Sequence, residues 1–407
     1  MPSLIWVNQF ALLPQDGGGT RHFELGRELA RKGWKVTILA CDFHLHARKF
    51  TRRVDANDRS PREETLDGVT IRWLWAAPYE GNDWRRAWNW ATFYLSVRRE
   101  IRLMAASPDV VIGSSPQIFA AVAGRALSRK AGAKFVFEVR DLWPESLLAV
   151  GGRRGMAYYV IDRVANSMYR SADRILVLAR GTREYLIAKG VPESKLVQVP
   201  NGVDVAAIRP NELTGEARRE EHPITFIYAG AHGPANGLDA VLDAAEILGG
   251  ACNARFKLVG DGPAKSALRA DAVRRGLVNV EFLDSVSKPE LARLLNGADA
   301  GLMLLREAPL FAFGVSPNKL FDYMAAALPI VCNVSGEVAA MLAESKAGLQ
   351  TADTSGAALA ASCREMVAMS AARRADIGLS GRSWVEREHS REVLGDRMDA
   401  FLRELLR

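Results

Sequence analysis

The chain has 407 residues, too many for one compact core and enough for two domains of roughly 200 residues each. Hydrophobic content of 48% and charged content of 25% exclude a disordered or fibrous chain, and no apolar run reaches the roughly 18 residues of a membrane-spanning helix. The net charge of +7 hides an asymmetry: residues 1–205 carry 31 Lys plus Arg against 21 Asp plus Glu, and residues 206–407 carry 23 against 26. A basic first half suits an anionic partner such as nucleic acid, a membrane surface or a phosphorylated substrate, although a solvated surface needs no other explanation.

The opening MPSLIWVNQF has no charged start, apolar centre and cleavage site, so the expected location is cytoplasmic. Cys41, Cys252, Cys332 and Cys363 lie far apart without a Cys-x-x-Cys pair, which predicts free thiols rather than a zinc or redox centre.

From the N-terminus, β-rich runs alternate with helix-period segments: SLIWVNQF, GTRHFELGRELARKG, KVTILACDF, then DVVIGS, KFVFEVR, RILVLA and KLVQVP. Strands separated by helices predict a parallel sheet covered on both faces. In the first helix Phe23, Gly26, Leu29 and Ala30 share one face, and Gly33 stands where a glycine ends a helix. Residues His46 to Thr65 read as a charged, mobile loop. In the segment 82–104, Ala87, Trp90, Tyr94, Val97, Ile101 and Met104 follow helical spacing among Arg85, Arg86, Arg98, Arg99 and Arg102. Such a helix suits a membrane interface, or packs on the first sheet with its arginines solvated.

The pattern restarts after residue 222 with ITFIYAG, LDAVLDAAEILG, RFKLVGDG, NVEFLDSV, ELARLLNGA, AGLMLL, LFDYMAAALP and IVCNV, a second doubly wound sheet. Between the two, Asp204 to Pro223 is charged and poor in large apolar residues, as a linker is. The end of the chain is amphipathic, with Val385, Val393, Met398, Phe401, Leu402 and Leu405 on one face.

Open parallel sheets bind ligands outside the carboxyl ends of their strands, so motifs following strands are the candidates for a site in a cleft between the domains. Gly17, Gly18 and Gly19 after the first strand allow close backbone approach, as would a plain surface turn. Arg140 and Asp141 follow KFVFEV, flanked by Glu138 and Glu145, and either orient an acceptor or form a local salt bridge. FGVSPNKLFDYMAAALPIV places a polar turn and Lys319 before a helix, where free N–H groups and the positive dipole end hold phosphate; Ser316 as an ordinary cap, with Pro317 in the first turn, is the other reading. Gly-x-Gly-x-x-Gly is missing after every strand, which argues against a dehydrogenase, and the missing Asp-x-Asp argues against a metal held on a sugar-nucleotide diphosphate. No zinc spacing or recognition helix supports nucleic-acid binding.

Taken in order, GGGTRHFELGRELARKGWKV, Asn201-Gly202-Val203-Asp204, Tyr228-Ala229-Gly230, Gly260 to Pro263, Asp322 to Ala325 and Pro329 to Val331 resemble the retaining GT-B glycosyltransferases of family 4 over nearly the whole chain. VRDLWPES with SPNKLFDYMA looks like the branch holding bacterial fucosamine-type and other surface-polysaccharide transferases. The resemblance implies an α/β GT-B fold of two Rossmann-like domains: an acceptor domain over 1–205, a linker over 206–222, a nucleotide-sugar domain over 223–384, and a C-terminal helix over 385–407 packing back on the first. It also implies that the turn Val315 to Leu320 presents amides to the donor diphosphate and that Asp322, at the helix start, takes the ribose hydroxyls.

Donor contacts are then expected from Gly18, Gly19, Gly230, His232, Asn236, Asp261, Ser316, Pro317, Asn318, Lys319, Leu320 and Asp322, and acceptor contacts from Arg21, Glu138, Arg140 and Glu145. Arg140, Asp141 and Lys319 are the catalytic candidates, and neither a metal nor another cofactor is expected. The sequence departs from the family where a first Glu is replaced by Gly314, and where Arg and Lys after Tyr-x-Gly give way to AHGPANGLD, with His232 and Asn236 near those positions. Lys319, or Arg21 or Arg306, would then neutralise the diphosphate. Arg140 followed by Asp141 stands where many relatives have a His near the acceptor.

The expected reaction is retaining transfer from a nucleotide sugar, UDP-linked by expectation, to a polyprenyl-diphosphate-linked or oligosaccharide acceptor at an anionic inner-leaflet surface. A sugar-nucleotide 2-epimerase and a non-catalytic sugar-nucleotide-binding protein are the alternatives.

Overall fold

The computed structural model describes residues 1–16, 19–45, 48–81, 83–103, 107–146, 153–210, 223–249, 252–307 and 316–407. The chain divides into two units: Met1–Leu13 with Gly19–Pro200 and Leu394–Arg407, and Pro14–Gly18 with Asn201–Val393.

The first unit is built on an eight-stranded sheet of order β3-β4-β2-β1-β5-β6-β7-β8. Its strands are β1 (Ser3–Val7), β2 (Lys35–Cys41), β3 (Arg62–Leu66), β4 (Val69–Leu74), β5 (Val110–Ser114), β6 (Lys134–Val139), β7 (Arg174–Val177) and β8 (Leu196–Gln198). All neighbours are parallel except β3, which pairs antiparallel with β4, Glu64 opposite Ile71. The loop expected over 46–65 therefore ends in a strand. REETL carries too many charges to read as buried β, which is the composition an edge strand uses to discourage further pairing.

The two-residue period of the strands fills both faces. Leu4 and Trp6 of β1 join one apolar cluster with Val36 and Ile38, whereas Ile5 and Val7 join another with Leu39 and Val111. On the first face lies α1 (Arg21–Arg31), drawn close by Gly26, where an added Cβ would stand 3.3 Å from a methyl of Val36. Gly33, at φ +86°, ends its last turn. The other face is covered by α2 (Trp84–Leu103) and α3 (Ile118–Ala131), while α4 (Met156–Ser171) and α5 (Arg180–Ala188) connect β6, β7 and β8.

The second unit holds a six-stranded, wholly parallel sheet of order β11-β10-β9-β12-β13-β14. Its strands are β9 (Ile224–Ala229), β10 (Ala254–Val259), β11 (Val280–Leu283), β12 (Ala300–Met303), β13 (Ile330–Cys332) and β14 (Gly348–Gln350). Between and after them run α6 (Asp239–Leu248), α7 (Lys265–Arg274), α8 (Lys288–Asn296), α9 (Asn318–Ala325), α10 (Glu337–Ser345), α11 (Gly356–Ala368), α12 (Ala371–Glu388) and α13 (Arg391–Leu406). Tyr323 of α9 lies against β12 because Gly301 has no side chain; a Cβ there would come 2.6 Å from the tyrosine ring. The tyrosine hydroxyl accepts from the Ala229 N–H at 2.8 Å.

The segment 385–407 contains two helices. α12 ends at Glu388, with Val385 in the second unit's core, and His389 and Ser390 interrupt the run. α13 then places Leu394, Met398, Phe401, Leu402 and Leu405 in the first unit's core beside α1. Trp34 donates its indole N–H to Asp399 at 2.7 Å. Cys41, Cys332 and Cys363 are buried free thiols, and Cys252 is half-buried. Among the described residues no helix is long and apolar enough to cross a membrane.

Candidate active site

In the second unit the chain starts at central β9, winds outward to β11 and returns to β12 on the other side, so the crevice of the sheet lies beyond the ends of β9 and β12. Two glycine loops meet there backbone to backbone. A Cβ on Gly260 (φ +141°) would fall 1.9 Å from the Gly230 carbonyl oxygen, and one on Gly262 (φ +157°) 2.5 Å from that of His232. His232 N–H donates to the Asp261 carbonyl at 2.8 Å, and Ala264 N–H to the His232 carbonyl at 2.9 Å. The His232 ring is fully buried, and neither of its nitrogens has a hydrogen-bond partner among the described residues. Burial, helped by the charge of Lys265, lowers its pKa to about 4, so it is neutral at physiological pH.

Lys319 is the second residue of α9. Its Nζ donates to the Tyr228 hydroxyl at 3.0 Å and to Asn236 Oδ1 at 3.2 Å, and lies 4.3 Å from the centre of the Tyr228 ring. Among the described residues no carboxylate pairs with it, and burial brings its pKa down to about 7. Gly230 leaves room for the side chain, since a Cβ would stand 3.3 Å from Lys319 Cε. The helix thus brings an ammonium to Asn236, in the loop that follows β9.

The start of α9 has Pro317 as its flanking residue and no side-chain cap. Ser316 is not the cap: its Oγ accepts from the Asn201 N–H at 2.9 Å and its carbonyl from Asn201 Nδ2 at 2.6 Å. The first N–H groups of the helix therefore keep no side-chain acceptor, and Asn318 Oδ1 is buried with no hydrogen-bond partner among the described residues. Leu320 is wholly buried in the core, leaving only its backbone to meet a ligand.

Asp322 lies in the second turn rather than at the helix start, largely buried, and both its oxygens accept from Lys288 Nζ at 2.9 Å. Asp261 accepts from Lys265 Nζ at 3.0 Å and the Ser285 N–H at 3.1 Å, and the Lys265 hydrogen bond holds its carboxyl below the usual range. Gly314 and Val315 lie outside the described residues.

In the first unit the order turns between β1 and β5. A buried polar chain fills the strand ends: Trp6 Nε1 donates to Ser114 Oγ at 2.9 Å, and Ser114 Oγ to Glu138 Oε2 at 2.5 Å. Arg21 Nε donates to Glu138 Oε1 at 3.0 Å, and its guanidinium also donates to the Val199 carbonyl at 2.7 Å and to that of Pro200. His22 Nε2 lies 3.0 Å from Glu138 Oε2. Burial alone would raise the Glu138 carboxyl; His22 and Arg21 outweigh it and hold the group far below the usual range. Arg21 and Glu138, both expected to meet the acceptor, pair with one another in the interior.

Ser115 Oγ, just past the same end of β5, accepts from the Arg140 N–H at 2.8 Å and the Asp141 N–H at 3.2 Å. Asp141 is exposed, and Arg140 Nε is buried with no partner among the described residues. The indole N–H groups of Trp90 and Trp143, whose rings stand edge to face at 6.4 Å, and the Nε2 of Gln117 are buried and likewise without an acceptor. Glu145 accepts from the Tyr185 hydroxyl and lies 3.8 Å from Lys189, a cluster of its own. Gly19 is exposed just before α1, and Gly18 lies outside the described residues.

Among the described residues no group of three or more His, Cys, Asp or Glu is placed to hold a metal ion. Sequence reasoning missed Lys288, Lys265, Ser115 and the role of Tyr228. The serine, lysine and proline at 287–289 announce a helix start, but nothing in them announces a partner 34 residues on.

Residues 16–202 match the Glycosyl transferase 4-like domain, and residues 223–369 the Glycosyl transferases group 1. WcaI of Escherichia coli (strain K12), named for colanic acid biosynthesis glycosyl transfer, is 27% identical over 228 residues, 54% of this chain and 55% of that one, so the match spans about half the relative's length. WbjE of Pseudomonas aeruginosa, named as a glycosyltransferase, is 24% identical over 77% of this chain and 78% of its own. Among solved structures, the sucrose-phosphate synthase of Thermosynechococcus elongatus superposes with a TM-score of 0.76 at 16% identity, covering 100% of this chain and 99% of that one. HepE of Anabaena, solved with UDP and glucose, gives 0.71 at 14% identity, covering 99% and 100%. The chain carries a Glycosyl transferase 4-like domain followed by a Glycosyl transferases group 1 domain, in a GT-B fold of two parallel-sheet units.

Proposed function

We propose that the protein transfers a sugar, with retention of configuration and without a metal, from a UDP-linked donor to a polyprenyl-diphosphate-linked or oligosaccharide acceptor in the synthesis of a surface polysaccharide at the inner face of the membrane. The observation that carries the reading is Lys319: an ammonium with no carboxylate partner among the described residues, held by Tyr228 and Asn236 at an uncapped helix start. Such a constellation suits a diphosphate, whose charge grows as the glycosidic bond breaks. The two glycosyltransferase domains, and the names of WcaI and WbjE, support transfer chemistry.

In this reading the acceptor hydroxyl attacks the anomeric carbon on the face the diphosphate leaves. The bond from that carbon to the diphosphate oxygen breaks as the new glycosidic bond forms, and the departing oxygen takes the acceptor's proton. Lys319 and the first amides of α9 stabilise the departing charge. Asp322, oriented by Lys288, holds the ribose hydroxyls. Arg140, with the N–H groups of Trp90, Trp143 and Gln117, meets an acceptor rich in oxygen.

The test is a panel of nucleotide sugars, read by nucleotide release with and without a polyprenyl-diphosphate-sugar and with a chelator present. Turnover that needs the acceptor and survives the chelator is the expected result. Conversion of UDP-N-acetylglucosamine to an epimer without acceptor, or binding without turnover across the panel, overturns it.

A further inference from the structure

In the first unit, α2 and the loops that leave β5 and β6 bring together a set of buried hydrogen-bond donors. Ser115 Oγ ties the two loops by accepting from the Arg140 and Asp141 N–H groups, and Trp143, in the second loop, stands edge to face with Trp90 of α2. Gln117 flanks the start of α3 and is 2% exposed. Its Oε1 accepts from the Ala120 N–H, while its Nε2 is left without an acceptor among the described residues. With Arg140 Nε, Trp90 Nε1 and Trp143 Nε1 it makes four buried N–H donors in that condition. Burying such groups unpaired is costly, so the set calls for an oxygen ligand.

The kind of donor narrows the class of that ligand. A sugar hydroxyl brings a hydrogen with its lone pairs and is matched by donors and acceptors together, whereas a carboxylate only accepts, at about four lone-pair sites. Acceptors in and beside these loops are already in use: Asn89 Oδ1 by Gln9 Nε2 at 2.7 Å, Ser115 Oγ by two N–H groups, Glu138 by Arg21, and Glu145 by the Tyr185 hydroxyl. The Arg140 guanidinium supplies the charge that a buried anion needs. A phosphate fits less well, because its three oxygens and roughly two charges exceed what four donors, three of them neutral, can satisfy. Gln9 Oε1, buried and open among the described residues, remains for a hydroxyl of the same sugar.

We infer that this pocket recognises the carboxylate of an acidic sugar, so that the acceptor of the proposed transfer carries a uronic acid. Arg140 is the counter-ion, and Gln117, Trp90 and Trp143 set the specificity. The inference rests on the proposed reaction for the acceptor role of that sugar; the carboxylate pocket itself stands on the four donors.

The experiment is calorimetry of the full chain with methyl glucuronoside, methyl glucoside, inorganic phosphate and pyrophosphate. The glucuronoside should bind at least about tenfold tighter than each of the others. Gln117→Glu keeps the oxygen that caps α3 but puts a second carboxylate where the donor stood, and should weaken the glucuronoside at least about tenfold with circular dichroism and UDP affinity unchanged. Trp143→Phe keeps a ring and loses the N–H, and should weaken the glucuronoside about threefold or more without weakening the glucoside. Equal binding of glucuronoside and glucoside, phosphate or pyrophosphate bound as tightly as the glucuronoside, or a Gln117→Glu variant that binds like the parent would each overturn the inference. Transfer to glucuronoside-terminated and glucoside-terminated acceptors at equal rates would overturn it too and leave the proposed reaction standing. Glucuronoside bound as expected, with no donor turned over, would uphold the pocket and overturn the reaction.

Discussion

The two units end their central strands in opposite ways. Beyond β1, β5 and β6, the buried ions Arg21 and Glu138 find each other, and His22, Ser114 and two backbone carbonyls complete the set. Beyond β9 and β12, Lys319 has only neutral partners among the described residues and His232 keeps two empty ring nitrogens. Both arrangements bury polar groups, which is costly unless the groups are satisfied. The first is closed on itself and fixes architecture; the second leaves unused capacity of the kind a ligand completes.

If the contrast holds, the largest effect on stability comes from the closed network. Glu138→Ala leaves Arg21 buried without its partner and should cost about 3–5 kcal/mol in urea unfolding. A variant as stable as the parent would break the comparison. The next effect is on affinity. Asp322→Asn removes the charged acceptor shared by Lys288 and the proposed ribose, so calorimetry should show UDP and donor weakened together by about 1.5–3 kcal/mol. Unchanged UDP binding would return Asp322 to a purely structural pair with Lys288.

Lys319→Ala should lower turnover at least about tenfold, roughly 1.4 kcal/mol in the barrier, with stability unchanged or improved, since a desolvated amine is removed. The sign of its pH dependence follows from a pKa near 7 in the free protein. The ammonium is present below pH 7 and lost above it, so donor affinity should fall as pH rises through 7, while Lys319→Arg, charged throughout, should flatten that profile. The smallest effect belongs to Arg306, also considered for the diphosphate. It pairs with Asp239 at 2.8 Å, both side chains more than half exposed, and Arg306→Ala should change stability and affinity by less than about 1 kcal/mol.

Much of the fold could be read from local pattern. The alternation of β-rich runs and amphipathic helices marked two parallel sheets, and Gly230 and Gly260 marked turns that meet beyond the ends of β9 and β10. What escaped was long-range. Asp322 meets Lys288 and Glu138 meets Arg21 across 34 and 117 residues, and no window of sequence contains both members. Ser316 looked like a cap because the residue type fits, yet tertiary structure gives its oxygen to Asn201. The stripe expected on α2 holds where Val97 is buried on the sheet and Tyr94 packs beside it, but Ala87 is exposed and Phe93, outside that stripe, is buried, because only the position of the sheet decides which side of the helix it covers.

The last helix carries a consequence for how the molecule is made. α13 follows the whole of the second unit in sequence, yet Leu394, Met398, Phe401, Leu402 and Leu405 complete the core to which Leu4 and Trp6 belong. On the ribosome the sheet of the first unit must wait for α13, holding the apolar flank of α1 uncovered while the residues of Asn201–Val393 emerge between them. A C-terminal truncation or a bulky fusion near Leu405 therefore strikes the N-terminal unit, and protease nicking of α1 during synthesis would report how long that flank stays bare.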